Sequence, residues 1–208
     1  MNPVLFAQAD FGQEERDAVS KVMAGTWLAA GPENETFEAK FAAYTGAKYA
    51  VCVNSGSSGL LLALEALQLP KGSRVLTAAA GFPATVAPIL HLGLTPQFVD
   101  YHLPSHNVAV NQVLDALVAP DAPKAVILAH TLGNPIDLDP IISLCRHRGI
   151  PLIEDCCEAV GSRYHGQSVG RLGTLGVFSF YPSHQITALG GGGMVITEDA
   201  RLAERLRS

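Results

Sequence analysis

Lysine is scarce in this 208-residue chain, which has five: Lys21, Lys40, Lys48, Lys71 and Lys124. Charge is sparse in general, at 16% Asp, Glu, Lys and Arg, with a net charge of −5. An acidic balance with no basic stripe and no interleaved aromatics excludes the electrostatic footprint of a nucleic-acid or anionic-membrane binder. No apolar run approaches the roughly 18 residues of a membrane span. The opening residues place no basic region ahead of a long apolar run, so no signal peptide is expected. Cysteine is limited to Cys52, Cys145, Cys156 and Cys157. Their spacing is not that of zinc ligands, and adjacent cysteines rarely bond to each other, so a reduced, cytoplasmic protein is expected. Repeats and low-complexity linkers are also missing. What remains is one globular unit, 48% hydrophobic with 20 Gly and 13 Pro, rich in the turn residues that α/β folds need.

The patterning alternates between two periods. Residues 13–24 and 33–45 carry helical spacing, with Gly25 and Gly46 as stops. Short apolar runs at 48–53, 73–78, 95–99, 124–129 and 150–154 predict buried strands. Helix-length segments at 57–68, 83–92, 111–118 and 138–148 lie between them. Two more strands are predicted at 175–180 and 193–197, with a last helix at 199–207. Alternating strands and helices predict a three-layer α/β/α fold on a mostly parallel sheet with right-handed crossovers. Ligands of such sheets bind beyond the carboxyl ends of the strands. The residues that follow each strand are therefore the informative ones.

After the first strand comes Asn54-Ser-Gly-Ser-Ser-Gly59, leading into an apolar helix. Small residues there let backbone N–H groups face an anion, helped by the helix dipole and two hydroxyls. The turn reads either as a phosphate cup or as an ordinary Ser/Gly helix cap. It is neither a Walker loop nor a dinucleotide fingerprint. Asp155 follows a buried strand, where an acid is costly unless it meets a partner. A pyridinium nitrogen is one such partner, and a helix cap or structural ion pair is the plainer alternative. Phe82 could stack on a planar cofactor or fill core. Ser179 could donate to a phosphate, and Gly190–Gly193 permits close backbone approach or forms a flexible loop.

Seven segments in order resemble the DegT/StrS-type sugar aminotransferases, a family of fold type I pyridoxal phosphate enzymes. They are Gly25-Thr-Trp-Leu-Ala-Ala-Gly31, Asn54-Ser-Gly-Ser-Ser58, Ala80-Gly-Phe-Pro83, Gly93-Leu-Thr-Pro-Gln-Phe-Val-Asp100, His130-Thr-Leu-Gly-Asn134, Ile153-Glu-Asp-Cys-Cys157 and Phe178-Ser-Phe-Tyr-Pro182. The resemblance implies the large domain of that fold. It implies that Gly56, Ser57 and Ser179 hold the cofactor phosphate, with Ser58 in the same turn. Phe82 stacks on the ring, Asp155 pairs with the pyridine nitrogen, and Glu158 lies near the ring hydroxyl.

In the aminotransferases of this family a lysine two residues after the proline of the Ser-Phe-x-Pro segment binds the cofactor covalently. Here that position is His184. Imidazole has no primary amine and cannot make that bond. The substitution is similar to that of the nucleotide-linked 4-keto-6-deoxyhexose 3-dehydratases of dideoxysugar (lipopolysaccharide O-antigen type) biosynthesis. The resemblance implies that pyridoxamine 5′-phosphate carries the sugar through its 4-ketone. It implies that His184 moves the proton at the cofactor's C4′ as the C3 hydroxyl leaves, a task suited to a near-neutral pKa. The alternatives are a loop histidine in a decayed relative, a lysine-dependent sugar aminotransferase, or a non-catalytic partner for a related subunit.

Some dehydratases of this kind carry a 2Fe-2S cluster fed by a reductase, and Cys157 matches one ligand position. A cluster needs four protein ligands, and the family's others would lie beyond Ser208, so no metal site is expected within these residues. The family's Gly-Glu-Gly-Gly is replaced by Leu189-Gly-Gly-Gly-Gly193, without the acid and with a loop one residue longer. The expectation is therefore a cofactor-binding large domain over 1–208, with N-terminal helices over 1–46 and the sheet core over 47–208. The smaller domain that completes the substrate site in related enzymes is expected to be absent. The partners expected are a nucleotide-linked sugar, and a second copy of the chain or a complementing C-terminal half.

Overall fold

The structure is a computed structural model that describes residues 7, 9–25 and 27–208. Most of the N-terminal stretch read above for a leader lies outside the described residues, as does Thr26. Two helices lead, α1 (Gln13–Ala24) and α2 (Pro32–Thr45). Pro32 suits the first turn of α2, and Gly46 ends it in the left-handed conformation at φ 76°. Then come β1 (Tyr49–Val53), α3 (Gly56–Ala66), β2 (Arg74–Ala78), α4 (Pro83–His91) and β3 (Thr95–Val99). A small hairpin, β4 (Tyr101–His102) and β5 (Asn107–Val108), precedes α5 (Val110–Val118) and β6 (Ala125–Ala129). A 3₁₀ turn at Thr131–Gly133 leads to α6 (Asp139–Arg148) and β7 (Leu152–Asp155). A second hairpin, β8 (Arg163–Tyr164) and β9 (Gln167–Ser168), precedes β10 (Leu175–Ser179), β11 (Gly193–Thr197) and α7 (Ala200–Arg207). Asp199 caps α7 by accepting from the Arg201 and Leu202 N–H groups.

The main sheet has seven strands in the order β1-β11-β10-β7-β6-β2-β3. The β10–β7, β7–β6, β6–β2 and β2–β3 pairs are parallel. The sequence pattern predicts a mostly parallel sheet, and β11 is its one reversed strand, antiparallel to both β1 and β10. The reason is the connection: no crossover helix separates β10 from β11, so the chain turns back beside itself.

Alternation along the strands divides the core into layers. Val51, Val75, Ile127, Ile153, Val177 and Val195 point to one face and pack with Leu60 and Leu64 of α3, Ile89 of α4 and Leu206 of α7. On the other face Leu76, Val126, Leu128 and Leu152 meet Val113, Leu117, Ile141 and Cys145 of α5 and α6. Ala50, Phe178, Met194 and Ile196 meet Phe41 of α2 on that side. This is the α/β/α sandwich that the strand–helix alternation predicts. Every strand of the seven-stranded sheet except β11 runs the same way, so the carboxyl ends of β1, β2, β3, β6, β7 and β10 form one edge. Among the described residues no helix is long and apolar enough to cross a membrane.

Candidate functional site

Asp155 is the last residue of β7 and is buried, 6% exposed, on the α3/α4 face. Its Oδ2 accepts from Thr85 Oγ1 at 2.7 Å, and its Oδ1 accepts from the Cys157 N–H at 3.1 Å. Thr85 is brought there by the first turn of α4, which Pro83 opens. A carboxylate has about four lone-pair sites, so the two bonds orient the group and leave capacity on both oxygens. The same turn projects Phe82 from the helix N-cap, with its ring 73% exposed. Phe82 is therefore not core, and a large exposed ring lies one helical turn from the Thr85 that holds Asp155.

The turn after β1 divides its duties. Ser55 is the N-cap of α3, its Oγ accepting from the Ser58 N–H at 3.1 Å, while its carbonyl accepts from the Gly59 N–H. Ser58 Oγ is also occupied, accepting from Ser55 Oγ at 3.1 Å. Among the described residues the Gly56 and Ser57 N–H groups have no hydrogen-bond partner. These are the orphan donors of a helix start, aimed where an anion is favoured. Ser55 and Ser58 thus serve the cap, while Gly56 and Ser57 keep N–H groups without a partner among the described residues.

Gly56 ties this turn to two other strand ends. A Cβ there would lie 2.8 Å from both Cys157 Sγ and Ser179 Cβ, so only glycine lets the three segments close. Ser179 ends β10, is buried, and its Oγ accepts from the Tyr181 N–H at 3.3 Å. In register Val53, Gly193 and Ser179 stand side by side, and a Cβ at Gly193 would lie 2.7 Å from the Ser55 carbonyl carbon. The last glycine of the run is thus required by close approach.

Glu158 is exposed; its Oε2 accepts from the Leu132 N–H at 3.0 Å, and its carbonyl accepts from Gln185 Nε2 at 2.8 Å. His184 is half-buried in the loop between β10 and β11, and its N–H donates to the Tyr181 carbonyl at 2.9 Å. Its ring lies edge-on to Tyr181 with centroids 6.2 Å apart and makes no hydrogen bond to a described residue. The lysines lie elsewhere. Lys48 and Lys124 immediately precede β1 and β6, Lys71 shortly precedes β2, and Lys21 and Lys40 lie within α1 and α2.

Two features escape sequence reading. One is Thr85, whose position in a helix start gives no sign of Asp155, 70 residues away. The other is Glu154, fully buried on the opposite face. Its Oε2 accepts from the Gly170 N–H at 2.8 Å and from His130 Nε2 at 3.0 Å, and its Oε1 accepts from the Gly173 N–H. The Ile136 N–H donates to His130 Nδ1 at 3.2 Å, which leaves the ring proton on Nε2, facing Glu154. The signal available was an acid inside an apolar strand with a histidine at the end of its neighbour.

His130, Glu154 and Cys156 have ligand atoms within 4.8 Å of one another, the one such trio among the described residues, and it does not include Cys157. Hydrogen bonds already occupy the histidine and the acid. Burial, then the neighbouring Asp155 charge, pushes the Cys157 thiol far above its ordinary range. With one thiol and three residues in all, this trio by itself does not make up the four-ligand set of an iron–sulfur cluster.

The sheet order and the polar strand ends define an α/β protein with a mostly parallel sheet and a candidate site along its carboxyl edge. Residues 9–208 match the DegT/DnrJ/EryC1/StrS aminotransferase family, and the chain belongs to it. It is 40% identical over 205 residues to the lipopolysaccharide biosynthesis protein RfbH of Salmonella typhimurium, covering 95% of this chain and 46% of that protein. It is also 40% identical over 216 residues to a dTDP-4-dehydro-2,6-dideoxy-D-glucose 3-dehydratase of Saccharopolyspora spinosa, covering 99% and 46%. Among solved structures, the E. coli GDP-4-keto-6-deoxy-D-mannose-3-dehydratase with bound hydrated PLP superposes with a TM-score of 0.93 at 30% identity, covering 100% of this chain and 54% of that one. An aminotransferase from Psychrobacter cryohalolentis superposes with a TM-score of 0.89 at 34% identity, covering 96% and 51%. The chain spans about half the length of these relatives.

Proposed function

We propose that these residues are the cofactor-binding large domain of a sugar 3-dehydratase. The cofactor is pyridoxamine 5′-phosphate, held without a covalent bond. The reaction is removal of the C3 hydroxyl from a nucleotide-linked 4-keto-6-deoxy sugar. The observation that carries the reading is the position two residues after Pro182 of the Ser179-Phe-Tyr-Pro segment, where His184 stands and no lysine is near in sequence. Support also comes from the fit of the residues to the cofactor. Asp155 is oriented with spare lone pairs, Gly56 and Ser57 keep free N–H groups, and Phe82 offers an open ring.

When bound, the protonated pyridine ring supplies an electron sink for bonds breaking at the atom attached to it. Asp155 holds the proton at the ring nitrogen, and Thr85 and the Cys157 N–H keep its carboxylate in place. Gly56, Ser57 and the Ser179 hydroxyl receive the phosphate at the start of α3, where the helix dipole favours negative charge. Phe82 covers one face of the ring and excludes water from it. Glu158 lies toward the ring hydroxyl. An imidazole nitrogen of His184 would take a proton from the cofactor's C4′ and would donate a proton to the departing C3 hydroxyl, which would then leave as water. Completion of the substrate site by a second copy or by a chain carrying the remaining half belongs to the same proposal.

A sugar aminotransferase is the second reading, favoured by the likeness to the Psychrobacter enzyme. It requires a lysine that reaches the ring. Borohydride reduction in the presence of pyridoxal phosphate, followed by peptide mapping, separates the two. The dehydratase reading expects no site-specific lysine adduct and full removal of the cofactor on dialysis. A stoichiometric adduct on one lysine overturns it.

A further inference from the structure

The segment that carries His184 is tied to the end of its own strand by main-chain donors, Tyr181 N–H to Ser179 Oγ at 3.3 Å and Ala188 N–H to the Phe180 carbonyl at 3.0 Å. Among the described residues, Gln185 is the side chain of 181–191 that hydrogen-bonds another strand-end segment, through Nε2 to the Glu158 carbonyl at 2.8 Å. Next to the histidine the further anchors are its own N–H to the Tyr181 carbonyl and, beyond Gln185, Ile186 packed against the Phe41 cluster and the Ala188 N–H to Phe180. The imidazole sits between these anchors with no hydrogen bond of its own.

The group that Gln185 grips is itself held firmly. The Glu158 carboxylate accepts from the Leu132 N–H, and Leu132 is in the left-handed region at φ 55°, ψ 26°, with its side chain 74% exposed. A non-glycine residue in that conformation persists only where the surroundings over-determine it. Here they do. The Thr131 N–H donates to Asn107 Oδ1 at 3.1 Å, Asn107 Nδ2 donates to the Asn134 carbonyl at 3.0 Å, and Ser162 Oγ donates to the Gly133 carbonyl at 2.7 Å. The turn after β6 is a braced platform, Glu158 is bolted to it through its side chain, and Gln185 takes hold of Glu158 through its main chain.

We propose that Gln185 is a positioning residue for His184, fixing the imidazole over the site through the Glu158 carbonyl. The inference rests on the proposed role of His184 as the proton-moving group, but the anchor itself can be tested without catalysis. An amide-to-carbonyl bond at the surface contributes little to global stability, so its loss should register locally. In Gln185→Leu, which removes the donor at similar size, amide hydrogen exchange across 182–188 should accelerate about tenfold, while the protected strands are unchanged. The His184 ring signal, assigned in a carbon–proton spectrum by its loss in His184→Asn, should move to the position of an unstructured histidine. Gln185→Arg keeps a donor at that point and should restore both. Affinity for pyridoxamine phosphate should stay within about twofold, because the residues proposed to hold the cofactor are untouched.

Unchanged exchange and an unchanged ring signal in Gln185→Leu would overturn the anchor. So would a shift that Gln185→Arg fails to reverse. The base reading stands or falls on a separate result, the solvent exchange of the C4′ hydrogen of bound pyridoxamine phosphate in His184→Asn. If that exchange persists at full rate, His184 is not the base, whatever Gln185 does.

Discussion

Glu154 and Asp155 are neighbours on β7, yet they enter opposite layers of the molecule, and the two regions differ in what they leave over. Glu154 is fully buried, and three N–H donors, from His130, Gly170 and Gly173, converge on it. Asp155 faces α3 and α4 with two donors, near an exposed aromatic ring and a helix start whose first N–H groups have no partner among the described residues. Glu154, buried with three of about four lone-pair sites filled, serves the structure. Asp155, with two filled and at the edge where ligands of such sheets bind, is the acid proposed as a site. The distinction lies in the hydrogen-bond count, not in the residue type or its burial.

Substitution at each acid separates the two roles. Glu154→Leu strands a histidine N–H and two backbone N–H groups in the core and should cost about 3–5 kcal/mol of unfolding free energy. Urea denaturation measures it, and a cost below about 1 kcal/mol would erase the contrast with Asp155. Gly56→Ala should cost about 1–3 kcal/mol, because its Cβ meets Cys157 and Ser179 at 2.8 Å. The same variant should weaken pyridoxamine phosphate binding by pushing the α3 start away from β10. Thr85→Val removes one bond to Asp155 at nearly constant volume and should cost about 1–2 kcal/mol. Its greater effect should be on ligand affinity, since the carboxylate is then free to turn.

The smallest effect concerns pH. Burial pushes the Cys145 thiol up to about 11. A folded pKa above the ordinary value means that this contribution to stability is complete below about pH 8.5. It is lost as pH rises toward that folded value. The urea midpoint should therefore fall between pH 8.5 and 11, and Cys145→Ala should flatten the part of that slope owed to this thiol.

Much of the fold was legible in the sequence because its signals are periodic and local. The helices at Gln13–Ala24 and Ala200–Arg207 and the five-residue strands follow from spacing, glycine stops and short apolar runs. The two hairpins, with strands of two residues each, have too short a period to read. The site was legible as a list of strand-end residues, because topology places all of them on one edge. Its wiring was not. The Thr85–Asp155 bond and the Glu154–His130 pair each join residues far apart in the chain, through side chains whose local context is ordinary. Phe82 is instructive in the other direction, since core was the commoner reading of a lone phenylalanine until its exposure was known.

The most direct test of the account is the affinity for pyridoxamine 5′-phosphate of the native chain and of Asp155→Asn, read by calorimetry beside their urea midpoints. The account predicts that Asp155→Asn changes unfolding by less than about 1 kcal/mol yet weakens binding about 10- to 100-fold, the worth of a hydrogen bond to a charged group. Equal affinity in the two proteins, or a loss of affinity matched by a loss of fold, would contradict it.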